Sequence, residues 1–173
     1  MGKRIAVLIT DLFEDIEYTN PKEKLEEAGH TLVTIEKKAG NRVTGKKEQA
    51  TVTIDKGIDD VTPESFDALL LPGGFSPDKL RGDDRFVAFT KDFADNGKPI
   101  MAICHGPQLL INADALVGRT VTGVKPIVPD LVNAGARFVD QEVVVCQDNL
   151  VTSRTPDDLP AFNRECLNVL ERV

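Results

Sequence analysis

Cys104 and His105 stand at a corner of the stretch Lys98-Pro99-Ile100-Met101-Ala102-Ile103-Cys104-His105-Gly106-Pro107-Gln108-Leu109-Leu110-Ile111, and that corner defines the chemistry to look for. Ile100 to Ile103 is an apolar run of the length and composition of a buried strand. From Pro107 onward the residues favour a helix, with the proline where a first turn accepts one. Gly106 gives the bend its backbone freedom. A strand, a sharp turn bearing a thiol and then a helix make the geometry of a nucleophile elbow. A cysteine there is expected as a thiolate, favoured by backbone N–H groups and a positive helix end that can also hold an oxyanion. The alternative is a buried structural cysteine beside a structural histidine, because free cysteine is among the most buried residue types.

Two further loops are expected to converge on the thiol. In Asp11-Leu12-Phe13-Glu14-Asp15-Ile16-Glu17, Glu14 is the candidate carboxyl beside the sulfur, acting as hydrogen-bond donor or proton shuttle, while Asp15 and Glu17 read as a solvated acidic turn. In Gly73-Gly74-Phe75-Ser76-Pro77-Asp78 the glycines let backbone N–H groups approach a substrate oxygen. Gly73 or Gly74, with the N–H of His105, is the expected oxyanion hole. The base is constrained by counting. The other histidine, His30, falls at the far edge of the expected sheet, so either His105 partners Cys104 or no histidine does. Adjacent side chains at a strained corner join with difficulty, which leaves room for a ring turned away from the thiol and oriented by a carboxylate. Asp78 is nearest by loop position.

The elements around these loops alternate. Arg4 to Thr10, Thr31 to Glu36 and Ala68 to Leu71 read as strands, the first as a central parallel strand covered on both faces. Asn20-Pro21 suggests the start of a helix that runs to Ala28 and stops at Gly29. Gly40 to Ile54 suggests a small edge hairpin. Phe86, Phe89, Phe93 and Ala94 recur at helical spacing and read as core. Further short strands are expected at Thr120 to Thr122, Phe138-Val139, Val143 to Cys146 and Leu150 to Ser153, with helices at Pro129 to Ala134 and Pro156 to Val173. Alternating strands and helices predict an α/β three-layer sandwich with a mostly parallel central sheet, formed as one domain over residues 1–173.

Composition narrows the function. The chain has 41% hydrophobic and 28% charged residues, as globular proteins do. A net charge of −7 without a basic cluster argues against a nucleic-acid groove and a stable nucleic-acid complex. No apolar run is long enough to cross a bilayer, and the start lacks the pattern of a signal peptide. Three cysteines, an odd number, suggest free thiols in a reducing cytoplasm. Cys146 and Cys166 read as structural. With two histidines and no Cys-x-x-Cys, no metal site is expected, and the chemistry calls for no cofactor.

Taken together, Phe13-Glu14-Asp15-Ile16-Glu17, Leu71-Pro72-Gly73-Gly74-Phe75-Ser76-Pro77-Asp78, Ala102-Ile103-Cys104-His105-Gly106-Pro107-Gln108, Asn133-Ala134-Gly135-Ala136 and Thr152-Ser153-Arg154-Thr155-Pro156-Asp157-Asp158-Leu159 resemble the PfpI family. This is the intracellular-protease-like branch of the superfamily of the parkinsonism-associated deglycase. The resemblance spans nearly the whole chain. It implies a flavodoxin-like sandwich that assembles as a homodimer or hexamer. It also implies Cys104 as the reactive cysteine, Glu14 as its paired acid, His105 as the histidine and Asp78 as a carboxylate orienting that histidine across a subunit interface. Where some relatives carry a tyrosine, this chain has Val124. The implied activities are repair of protein or nucleotide adducts of methylglyoxal or glyoxal, cofactor-free glyoxalase activity, and peptidase activity, within a stress response. A non-enzymatic oxidation sensor or chaperone built on Cys104 is the remaining alternative.

Overall fold

The apolar run after Lys3 becomes β1 (Arg4–Leu8) in the computed structural model, which describes every residue from Met1 to Val173. It is followed by α1 (Asp15–Glu27) and β2 (Thr31–Glu36), then by the short strands β3 (Arg42–Thr44), β4 (Thr51–Thr53) and β5 (Lys56–Gly57). Next come β6 (Ala68–Leu71), α2 (Ser76–Arg81), α3 (Asp84–Asp95), β7 (Ile100–Ile103) and α4 (Gln108–Asn112). The chain closes with β8 (Thr120–Val121), α5 (Val128–Asn133), β9 (Arg137–Phe138), β10 (Val144–Cys146), β11 (Leu150–Ser153) and α6 (Leu159–Glu171).

Seven strands form one sheet in the order β10-β11-β7-β6-β1-β2-β5. Every pair in it is parallel except β10 with β11. Alternation along β1 divides the core. Ala6 and Leu8 face the layer holding Phe86, Phe89 and Phe93 of α3 and Leu109 and Leu110 of α4. Ile5 and Val7 face the layer holding Leu25 of α1 and Phe162 and Leu170 of α6. Both faces of the central strands are thus covered, which is why their sequences are unbroken apolar runs. The expected three-layer α/β sandwich is what forms. β3 and β4 pair antiparallel as the expected edge hairpin, and β8 pairs with β9 outside the main sheet.

One element begins earlier than the sequence suggested. Asn20-Pro21 is not the start of α1; Pro21 lies inside the helix, where its missing N–H leaves the Glu17 carbonyl without its usual partner. The helix starts at Asp15, with acidic side chains in its first turn. Asp15 also fixes the β3–β4 tip: its carboxylate accepts the backbone N–H groups of Lys47, Gln49 and Ala50 at 2.9, 3.0 and 2.9 Å. Asp15 and Glu17 are therefore buried, at 3% and 0% exposure, rather than forming a solvated turn.

Candidate active site

Cys104 follows β7 directly and has a φ of +63°. A non-glycine residue held in the left-handed region costs on the order of 1–3 kcal/mol and persists only where its surroundings enforce it. Here they do. The Cys104 N–H donates to Ser153 O at 3.0 Å, and the Cys104 carbonyl accepts from Val124 N at 3.2 Å. Gly106 lies so close to β6 that a Cβ would stand 2.4 Å from Leu71 O. The sequence-predicted elbow is present, but α4 behind it runs only from Gln108 to Asn112. So short a helix contributes little dipole, and the polar groups around the sulfur come from the loops.

Four groups converge on half-buried Cys104 Sγ. The backbone N–H groups of Gly74 and His105 lie on its side of the elbow and favour its ionised form. Nδ1 of His105 lies 3.4 Å away. The Glu17 carboxyl is buried beside the thiol; its Oε1 accepts from Gly73 N at 3.0 Å, and its Oε2 has no hydrogen-bond partner within the protein. Gly73 is required by this contact, since a Cβ there would stand 2.5 Å from Glu17 Oε1 and 2.8 Å from Cys104 Cβ.

These contacts bear on four expectations. Glu17, not Glu14, is the carboxyl at the sulfur, because α1 begins at Asp15 and its first turn swings the third residue inward. Glu14 instead pairs with Lys46 Nζ at 2.5 Å and Lys47 Nζ at 2.9 Å. Gly73 is not an oxyanion donor, since Glu17 occupies its N–H; Gly74 and His105 supply the two free donors. The His105 ring turns toward the thiol despite the tight corner. Asp78 makes no hydrogen bond to His105 within the protomer; it is 68% exposed on α2, 3.9 Å from Arg81, and reaches the ring only through its charge. Acidic residues at a helix start are ordinarily solvated, so no local signal marked the inward carboxyl.

The electrostatics follow from burial and charge. Burial, then the negative charge of Glu14, pushes the Glu17 carboxyl up to about 8, so it carries a proton at neutral pH. Glu14 itself stays ionised: burial raises it, but its two lysines outweigh burial and hold it below the ordinary range. Burial, then the Glu17 carboxylate, pushes the Cys104 thiol up to about 12, against the pull of the Gly74 and His105 N–H groups and Lys46. The two titrations are coupled. When Glu17 is protonated its repulsion of a thiolate vanishes. The expected resting thiolate is thus replaced by a thiol beside a protonated carboxyl, the charge of each opposing ionisation of the other. Burial, then Lys46, lowers His105, leaving a neutral imidazole that can accept the thiol proton.

The remaining candidates sit apart. His30 Nδ1 accepts from Lys3 N at 3.0 Å, far from the elbow. Cys166 is buried in the apolar layer under α6, and Cys146 accepts from Arg119 Nε at 3.3 Å and Thr120 N at 3.4 Å. No three His, Cys, Asp or Glu side chains are grouped to hold a metal. No helix is long and apolar enough to cross a membrane. A cleft of about 660 Å³ lined by Lys125, Phe138, Asp140 and Arg154 adjoins the elbow through Gly123, whose Cβ, if present, would stand 3.5 Å from the Cys104 carbonyl.

Residues 3–169 match the model of the DJ-1/PfpI family. The chain is 68% identical over 170 residues to the Escherichia coli (strain K12) protein named Protein/nucleic acid deglycase 2, covering 98% of this chain and 99% of that protein. It is 64% identical over 172 residues to General stress protein 18 of Bacillus subtilis (strain 168), covering 99% and 100% of the two chains. Among solved structures, a two-domain Anabaena variabilis protein with DJ-1/ThiJ/PfpI-like and ferritin-like domains superposes with a TM-score of 0.94 at 36% identity, covering 98% of this chain and 48% of that one.

Proposed function

The chain belongs to the DJ-1/PfpI family, and from that premise we propose that it is a cysteine-dependent enzyme acting on α-oxoaldehydes or their adducts with protein or nucleotide, releasing lactate or glycolate. The observation that carries this reading is the convergence on Cys104 Sγ of a neutral carboxyl, a neutral imidazole and two backbone N–H groups. Sulfur bonds to the aldehyde carbon while the thiol proton passes to His105 Nδ1. The new alkoxide lies against the N–H groups of Gly74 and His105, takes up that proton and becomes a hydroxyl. Glu17 then gives its proton to the neighbouring ketone oxygen and takes the C1 proton, forming an enediol. It returns a proton to C2 and takes the C1 hydroxyl proton, leaving a thioester on Cys104 and Glu17 as it began. Water cleaves the thioester to the 2-hydroxy acid and restores the thiol. Free methylglyoxal plus water thus gives lactate, with no oxidant or cofactor consumed.

Exposed Leu12, Ile16 and Phe75 form an apolar rim, which supports a homo-oligomeric assembly. In such an assembly Asp78 of one protomer is the candidate to orient a His105 ring of another. The test is hydroxy-acid release from methylglyoxal and glyoxal by the wild type, Cys104→Ala and Glu17→Gln. Both variants are expected to fall by at least a factor of roughly 100. Wild-type turnover in Cys104→Ala overturns the reading. So does an inactive wild type whose sole response to peroxide is oxidation at Cys104, which is the behaviour of a sensor.

A further inference from the structure

Glu14 and Lys46 make no hydrogen bond to the sulfur, yet their charges act on Glu17 and both are held in place by an ion pair and by backbone hydrogen bonds of the hairpin. The Glu14 side chain is 5% exposed and bridges Lys46 Nζ and Lys47 Nζ. The turn that bears the lysines is clamped to the same acidic loop. Leu12 N donates to Thr44 O at 2.8 Å, Lys46 N donates to Phe13 O at 2.9 Å, and Asp11 accepts from Thr44 N at 2.9 Å. Asp15 accepts three more N–H groups from that turn, which packs so closely that a Cβ on Gly45 would stand 2.1 Å from the Asp15 carboxylate. The Lys46 ammonium also lies 5.8 Å from the ring of Phe75, the residue after Gly74.

We propose that the Lys46–Glu14 pair consists of positioning residues: the clamped hairpin tip holds one negative and one positive charge against the Glu17–Cys104 pair and thereby decides how long Glu17 keeps its proton. The inference rests on Glu17 and Cys104 being the reacting pair. The charged and titratable groups facing Glu17 are Glu14, Lys46 and Cys104, and the Gly73 N–H faces it as a neutral donor. Glu14 favours the protonated carboxyl and Lys46 favours the carboxylate, so removing each must move Glu17 in opposite directions. Lys46 also acts on the sulfur and on the His105 ring, favouring the thiolate and the neutral imidazole.

The experiment is carboxyl ¹³C NMR of the full chain labelled at glutamate, in a Cys104→Ala background so that Glu17 titrates without the thiol. Its signal is assigned by its loss in Glu17→Gln. Glu14→Gln is expected to lower the Glu17 midpoint by about one pH unit, and Lys46→Met to raise it by a similar amount. Lys46 is half-exposed, so its replacement keeps the test available if Glu14→Gln does not fold. A Glu17 midpoint that is raised in the parent but unmoved, or moved the same way, by both substitutions overturns the proposal and leaves the Cys104–Glu17 site standing. A midpoint in the ordinary carboxyl range in the parent overturns the site itself.

Discussion

Replacing Glu17 with glutamine should stabilise the protein, and should do so only above a definite pH. Glu17 is fully buried, and its carboxyl is moved from 4.5 to about 8 by burial and then by Glu14. Between those values the folded protein holds a proton that the unfolded chain releases, so raising the pH favours unfolding. The contribution is complete below pH 4.5 and is lost as pH rises through 8. Each pH unit in that window removes about 1.4 kcal/mol, so the loss is on the order of 3 kcal/mol by pH 7 and approaches about 5 kcal/mol above pH 8. Glutamine cannot ionise, and its amide oxygen can still accept from Gly73 N, so the variant avoids the loss without orphaning that donor. Urea unfolding of both proteins, followed by far-UV circular dichroism from pH 4 to pH 8.5, measures the difference directly. The two should match near pH 4 and diverge in favour of Glu17→Gln as pH rises. A difference that stays constant over this range would refute a proton-bearing buried Glu17.

Three other substitutions probe the frame around the pair. Asp15→Ala should cost about 2–3 kcal/mol at neutral pH and speed amide exchange at Lys47, Gln49 and Ala50. Burial raises Asp15 but its backbone donors lower it overall, so the stability it gives is present above the ordinary carboxylate range and lost as pH falls through its depressed value, shrinking the difference in acid. Gly73→Ala should displace Glu17, Cys104 and the end of β7 by the overlap of the new Cβ, lowering hydroxy-acid release roughly 100-fold in the same turnover assay. Phe93→Ala, a fully buried position on α3, should cost roughly 3–5 kcal/mol in denaturant unfolding with little change in Cys104 alkylation.

The sequence was most informative where periodicity and burial agree. β1, β6 and β7 are unbroken apolar runs because both faces of the sheet are covered, and the α3 phenylalanines repeat at the spacing of one buried stripe. The elbow at Cys104 was legible from its flanking elements for the same reason. Glu17 was not, because a carboxylate in an acidic turn is ordinarily at the surface, and its burial depends on α1 beginning ahead of Pro21. Proline preference points to a first turn at Pro21, whereas the contacts of Asp15 with residues more than thirty positions away fix the start earlier. Long-range hydrogen bonds of that kind leave no local signature. The direction of the His105 ring is likewise a side-chain rotation that neighbouring residue types do not specify.

The proposed turnover passes through a covalent intermediate at Cys104 resolved by Glu17. Rapid quenching of the wild type and Glu17→Gln with methylglyoxal, followed by intact-mass and peptide mass spectrometry, tests this most directly. The predicted result is an added mass of one methylglyoxal on Cys104, transient in the wild type and accumulating without lactate in Glu17→Gln. An adduct confined to other residues, or lactate release at the wild-type rate from Glu17→Gln, would contradict it.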